Sequence, residues 1–337
     1  MIISRISRYL PFLLVSFLCV TLMCCTKNTT TPETQTSQQG DSIPSKPKPK
    51  IGIAFGGGGA KAAAQIGVLQ RLEELGIKAD YVAGTSMGSV IAALYAAGYT
   101  PKEMRRLLKE DKDLWIYDAS KAHRLKRDGR KWTGIIDRST FQNHLDDLLK
   151  EKKVHIYHDL EKNNKIPFRC TATAFTLFDY EEVVCSVGVV SRDVTSSVSY
   201  PGAYVFAKNK EKKLLDGGMM NNLPVDVVRA MGAEIVIAID LESDKKDDIL
   251  ELINFGLDLS EKSKYFSDKF SATRWFKVRP DTIKRKANIA DADIYIHPPL
   301  DNFGIKDYDS KKIEDMIKIG YNTCKKDIIA KQLEELK

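Results

Sequence analysis

Gly84-Thr85-Ser86-Met87-Gly88 sets a serine between two glycines, after the short apolar run "DYVAGT" and before the apolar helical stretch Met87 to Ala97. That spacing lets the chain turn sharply from strand to helix and pushes the hydroxyl into the open, the arrangement of a nucleophile elbow. A serine hydroxyl attacks a carbonyl only when a neighbouring group takes its proton. Of the five histidines, His123 lies in a basic loop, and His144, His155 and His158 lie on or beside a polar helix. His297, ending "DIYIH", is the one from which a Ser–Asp–His triad could be built. The other candidate base is Asp216, which ends "KKLLD" and is followed by Gly217 and Gly218. An ordinary aspartate, with a pKa of about 4, is a weak base. A partly dry site raises that value toward usefulness.

A second glycine-rich stretch, Phe55-Gly56-Gly57-Gly58-Gly59-Ala60-Lys61, also lies between an apolar strand and a helix. Backbone N–H groups at such a junction attract negative charge, either a phosphate or the oxyanion of an acyl-transfer intermediate. The phosphate-loop pattern needs Ser or Thr after the lysine, and the dinucleotide pattern needs a third glycine. Ala62 follows Lys61 and breaks both. A lone G-x-S-x-G is weak evidence, since about one chain in ten of this length carries it by chance. Two such motifs at consecutive strand-to-helix turns are stronger, because neighbouring parallel strands deliver both to the carboxyl edge of one sheet, where ligands bind.

Strands must place these residues, and the strand signals alternate with helical ones. "KIGIAF", "DYVAGT" and "AEIVIAID" are apolar enough for strands buried on both faces; Ala60 to Leu75, Met87 to Ala97, Ser139 to Leu149 and Pro224 to Met231 read as helices, and Pro101 opens another. "IPFRCTATAF" and "YEEVVCSV" read as paired strands, "DADIYIHP" as a late strand, and Asp247 to Lys269 and Tyr308 to Leu336 as helical. The pattern predicts one α/β domain over residues 50 to 337, with a mostly parallel sheet covered on both faces. Cys170 and Cys185 flank the predicted hairpin and are expected to face each other, as buried small hydrophobes or, in an exported protein, as a disulfide.

The chain of 337 residues is 43% hydrophobic and 29% charged with a net charge of +7, an ordinary globular composition that fits contact with anionic lipid head groups. It carries no fixed-period repeat and no nucleic-acid-binding signature. Residues 1 to 25 read as a signal peptide of lipoprotein type: Arg5 and Arg8, an apolar run from Tyr9 to Met23, then Cys24 and Cys25. Residues 26 to 49, rich in Thr, Ser, Gln and Pro, read as a tether. Acylation at Cys25 (or Cys24) would anchor an exported protein to a membrane facing the periplasm or the cell exterior. "KAHRLKRDGRKW" clusters Arg124, Lys126, Arg127, Arg130 and Lys131 beside Trp132, a composition suited to an interface loop and equally to a solvated one.

The stretches "FGGGGAKAAAQIGVLQRLEELGI", "YVAGTSMGSVIAALYAAGYTPKEM", "SSVSYPGAYVF" and "LLDGGMMNNLPVDVVRAMGAEIVIAID" together resemble the patatin-like phospholipases, in order and spacing. "ADIYIHPPLDNFGIKDYDS" and "IKIGY" resemble the tail of their bacterial branch. The resemblance covers about residues 50 to 325. It implies a three-layer α/β/α fold and hydrolysis of lipid acyl esters by a Ser–Asp dyad that needs no metal or other cofactor. Carried over, Ser86 is the nucleophile, Asp216 the base, and the amides of Gly57, Gly58 and Gly59 the oxyanion hole. Lys61 stands where the family has Arg or Lys, and Gly84, Gly88, Gly217 and Gly218 support the two motifs. Ala62 replaces a family glycine and is expected to reshape the oxyanion loop, and "TATAF" lacks the aspartate of the family's "ATD" strand. The alternatives are a non-catalytic nucleotide- or anion-binding lipoprotein and a Ser86–Asp216–His297 esterase.

Overall fold

Ile51–Phe55, apolar apart from one glycine, satisfies the condition for a strand covered on both faces, and it forms the middle of the sheet. The computed structural model describes residues 48–111, 139–175, 180–200, 207–209, 212–242 and 281–337. The strands are β1 (Ile51–Phe55), β2 (Tyr81–Thr85), β3 (Phe168–Phe175), β4 (Tyr180–Cys185), β5 (Ala207–Asn209), β6 (Lys212–Asp216), β7 (Ile235–Ile239) and β8 (Ile294–Ile296). They form one sheet in the order β5-β6-β3-β2-β1-β7-β8, with β4 paired to β3. β8, β7, β1, β2 and β3 run parallel, while β4, β5 and β6 add antiparallel pairings at one side.

Alternate residues of the central strands serve two cores. Ile53, Phe55, Ile237 and Ile239 face the larger one, filled by α1 (Ala63–Glu74), α2 (Met87–Ala97), α3 (Pro101–Glu110), α4 (Ser139–Glu151), α5 (Tyr157–Lys162), α6 (Val190–Ser197), α9 (Ser310–Thr323) and α10 (Asp327–Glu334). Ala54, Ala83, Val236 and Ala238 face the smaller one, closed by α7 (Val225–Ala230), with α8 (Asp281–Asp291) packed at its border. The result is the expected three-layer α/β/α arrangement. α1 and α9 touch backbone to backbone: a Cβ on Gly67 would lie 1.9 Å from the Ile317 carbonyl, and one on Gly320 would lie 1.9 Å from that of Ala64. No described helix is long and apolar enough to cross a membrane.

The pairing of β3 places the site. β4 takes one edge of β3 along Cys170 to Phe175. β2 takes the other edge only as far as Thr85↔Thr171, and β6 takes it from Ala172↔Asp216 onward, antiparallel. β2 and β6 therefore meet head to head, and the chain leaving β2 at Ser86 confronts the last residue of β6.

Most sequence-predicted elements are present, with boundary changes. The helix expected from Ala60 begins as a 3-10 turn, Gly59–Ala62, and Tyr308 to Leu336 divides into α9 and α10. α6 was not anticipated, because "VSRDVTSS" looks too polar to be buried. Two of its hydroxyls are satisfied locally, Thr195 and Ser196 donating to carbonyls four residues back at 2.6 and 3.0 Å, and Ser191 donates to Asp146 of α4 at 3.1 Å. Cys170 and Cys185 do face each other across β3 and β4, as buried free thiols. The leader with Cys24 and Cys25, the tether to residue 47, the basic segment around Trp132 and the helix read over Asp247 to Lys269 lie outside the described residues.

Candidate active site

Ser86 has φ 51° and ψ −133°, a conformation that costs a side-chain-bearing residue on the order of 1–3 kcal/mol and is held by its surroundings. The two glycines are required by contact. A Cβ on Gly84 would lie 2.6 Å from Ser89 Cα, and one on Gly88 would lie 2.4 Å from the Gly56 carbonyl. The Ser86 N–H donates to Ser197 Oγ at 2.8 Å, and Ser89 Oγ donates to the Ser86 carbonyl at 2.6 Å. α2 starts at Met87, so its positive N-terminal end adjoins the hydroxyl.

That hydroxyl donates to Asp216 Oδ2 at 2.7 Å, across 130 residues of sequence. Asp216 Oδ1 accepts the Gly218 N–H at 2.8 Å. Its backbone is tied as firmly, with its N–H on the Ser199 carbonyl at 3.0 Å and its carbonyl accepting Thr173 Oγ1 at 2.8 Å. Gly217 and Gly218 allow close approach here, since a Cβ would meet the Thr171 carbonyl at 2.4 Å or Asn222 Oδ1 at 2.7 Å. Asp216 is 6% exposed. Burial pushes its carboxyl from the ordinary 3.8 to about 6, while the Ser86 and Gly218 hydrogen bonds pull the other way. A carboxylate with that pKa can hold a proton transiently and return it near neutral pH.

The glycine loop abuts Ser86: a Cβ on Gly57 would lie 3.0 Å from Ser86 Cβ. The expectation that Gly57, Gly58 and Gly59 all offer free amides needs a correction. The Gly57 N–H is already given to the Asn222 carbonyl at 3.0 Å, and that of Gly56 to Ile239 at 2.9 Å. Gly58 and Gly59 donate to no acceptor among the described residues. Gly59 must be glycine, with φ +56° and a would-be Cβ 2.4 Å from the Ile305 carbonyl. That carbonyl accepts the Ala60 N–H at 2.8 Å, so the late "FGIKDY" segment closes over the loop. Lys61 is buried at 1% exposure in the 3-10 turn. Ala62 is wholly buried, and its methyl group packs into the larger core.

His297 Nδ1 lies 3.2 Å from the Asp240 carbonyl, while the two Asp216 oxygens are occupied by Ser86 and Gly218. His144 pairs with Asp111, His155 with Asp146, and His158 lies near Glu161. None of these rings bonds Ser86 or Asp216. Sequence reading assigned no role to Ser197, whose signal is its place in "SSVSYPGAYVF", or to the pair Asn221-Asn222, whose signal is its position just past Asp-Gly-Gly. The Asn221 carbonyl accepts Thr85 Oγ1 at 2.8 Å and Thr171 Oγ1 at 3.3 Å, fastening the turn after β6 to the ends of β2 and β3.

Patatin-like phospholipase domain-containing protein 7 of Rattus norvegicus is 28% identical over 287 residues, covering 80% of this chain and 20% of that protein. Lysophospholipase NTE1 of Mycosarcoma maydis is 31% identical over 199 residues, 57% of this chain and 10% of that one. The chain thus spans a fifth or less of the length of these curated relatives. Among solved structures, the type III effector ExoU of Pseudomonas aeruginosa aligns with TM-score 0.45 and 14% identity, over 86% of this chain and 53% of that one. The family model described as patatin-like phospholipase matches residues 53–229, more than half of the 337-residue chain, and takes in the glycine loop, Ser86 and Asp216. The chain belongs to the patatin-like phospholipase family.

Proposed function

We propose that this protein is a serine acyl hydrolase that cleaves fatty-acyl esters of phospholipids or lysophospholipids through a Ser86–Asp216 dyad. The observation that carries the reading is the 2.7 Å hydrogen bond from a strained, elbow-mounted serine hydroxyl to a buried carboxylate, beside two uncommitted loop amides. Asp216 takes the proton as Ser86 Oγ attacks the ester carbonyl. The Gly58 and Gly59 amides receive the oxyanion, each such donor being worth about a hundredfold or more in rate. The proton passes from Asp216 to the departing alcohol or lysophospholipid. Water then enters, gives a proton to Asp216 and attacks the acyl-serine; the bond to Ser86 Oγ breaks, Asp216 returns the proton to that oxygen, and the fatty acid leaves. The names of the relatives, phospholipase and lysophospholipase, support the substrate class.

The sequence extends the reading to a bacterial lipoprotein. Cys25 carries the lipid, residues 26 to 49 tether residues 50 to 337, and the cationic stretch near Trp132 meets anionic head groups. Palmitate labelling that survives Cys25→Ala and Cys24→Ala would remove that part.

The test of the activity is hydrolysis of p-nitrophenyl butyrate and of a lipid panel by the full chain. Ser86→Ala and Asp216→Asn are expected to lose at least about a thousandfold in turnover, and His297→Ala to stay near wild type. Turnover that persists in Ser86→Ala, or nucleotide binding with no turnover at all, rejects the proposal.

A further inference from the structure

A loop of four consecutive glycines has little stiffness of its own, yet an oxyanion hole works only when its donors are fixed before charge develops. Neighbouring groups must supply that stiffness, and the contacts lead from the loop to the residues just past the carboxyl end of β7. Asn222 grips the Gly57 residue at both ends, its carbonyl accepting the Gly57 N–H at 3.0 Å and its Nδ2 donating to the Gly57 carbonyl at 3.4 Å. The same Nδ2 donates to Glu242 Oε2 at 3.3 Å. Glu242 lies just beyond β7 and pairs with Arg285 of α8, Nε to Oε2 at 3.6 Å, while Arg285 Nη2 donates to its carbonyl at 3.2 Å. Arg285 is itself held by Asp240, which is wholly buried and accepts the guanidinium through Nε at 2.9 Å and Nη2 at 2.7 Å. The Tyr295 hydroxyl donates to the same carboxylate at 2.9 Å, and the Glu242 N–H donates to its other oxygen at 3.1 Å.

We propose that Arg285 is a positioning residue for the oxyanion loop, acting through Glu242 and Asn222 on the Gly57 residue and so on the Gly58 and Gly59 amides that follow it. It lies beyond residues 53–229, the stretch matched by the family model. A planar fork suits this task, since one guanidinium must satisfy the buried Asp240 and orient Glu242 together, which a single ammonium point charge cannot do with fixed geometry. A purely structural Arg285 would serve only to neutralise Asp240. The two roles separate because Glu242→Ala removes the side chain that joins Arg285 to Asn222 while the Asp240–Arg285 pair keeps both partners.

The inference rests on the oxyanion role given to Gly58 and Gly59 above, and the experiment is arranged to keep the two apart. In the full chain, Glu242→Ala is expected to unfold at the wild-type temperature while kcat on p-nitrophenyl butyrate falls by about tenfold to a hundredfold with KM little changed, the signature of displaced transition-state donors. Arg285→Lys, which keeps a cation beside Asp240, should show the same split, and the double variant should be no worse than either single one, because both cut one chain. Hydrogen–deuterium exchange supplies a readout independent of turnover: the peptide spanning residues 55 to 60 should exchange faster in Glu242→Ala as the Gly57 N–H loses its hold. A folded Glu242→Ala variant whose kcat stays within about twofold of wild type, or whose loop exchange is unchanged, overturns the proposal. Where the wild type itself shows no turnover, the hydrolase reading fails and loop exchange alone decides the clamp.

Discussion

Replacing Asp216 by Asn should stabilise the protein while destroying its chemistry, and the gain should depend on pH in a defined way. At pH 8 the wild-type carboxylate is ionised in both the folded and unfolded chain, but burial holds its folded pKa at about 6 against an ordinary 3.8. At 1.36 kcal/mol per pH unit, that gap costs the native state about 3 kcal/mol. Asparagine has the same shape. Its oxygen still accepts the Gly218 N–H, and its amide faces Ser86 Oγ, so the two bonds at 2.8 and 2.7 Å keep partners without the charge. The sign follows from proton uptake. The folded carboxyl binds its proton more tightly than the unfolded one, so the native state holds more protons between 3.8 and about 6, and wild-type stability from this group falls as pH rises through that window. The gain from Asp216→Asn should therefore be about 1 kcal/mol at about pH 4.5 and about 3 kcal/mol at about pH 8. For a body of this size the larger value corresponds to a Tm rise of several degrees. Urea unfolding of both proteins at the two pH values measures the difference. An equal gain at both, or a loss at the higher pH, would show that the buried ionised carboxylate is not what strains this site.

The same carboxyl predicts the rate profile: kcat/KM on a neutral short-chain ester should fall tenfold per pH unit below about 6, as protonation removes the base. A profile flat down to pH 4.5 would rule Asp216 out as that base. Gly59→Ala combines a positive φ with a Cβ 2.4 Å from the Ile305 carbonyl; it should displace the loop and lower kcat at least about a hundredfold. Wild-type kinetics in that variant would mean the loop is not the oxyanion site. Gly67→Ala forces α1 from α9, since its Cβ would lie 1.9 Å from the Ile317 carbonyl; thermal unfolding should report a loss of about 1–3 kcal/mol or more. An unchanged Tm there would contradict the close helix crossing.

Much of this protein was legible before any tertiary information. Ser86 could be named because two flanking glycines between an apolar strand and an apolar helix leave few backbone options, and each option displays the hydroxyl. The central strands could be named because Ile51–Phe55 and Ile235–Ile239 have no polar face to give to water. Asp216 could be nominated but, from spacing alone, not preferred over His297. The head-to-head meeting of β2 and β6 on one edge of β3 brings the Asp216 carboxylate, 130 residues away in sequence, to the Ser86 hydroxyl. The third dimension also committed the Gly57 N–H to the Asn222 carbonyl, turned the Ala62 methyl into the core, set Ser197 Oγ on the Ser86 N–H and placed Arg285 against Asp240 and Glu242. The division has a physical basis. Backbone conformation and burial are set by residue types within a few positions of one another. Which donor meets which acceptor depends on register between strands distant in the chain, and no local run of residues encodes that.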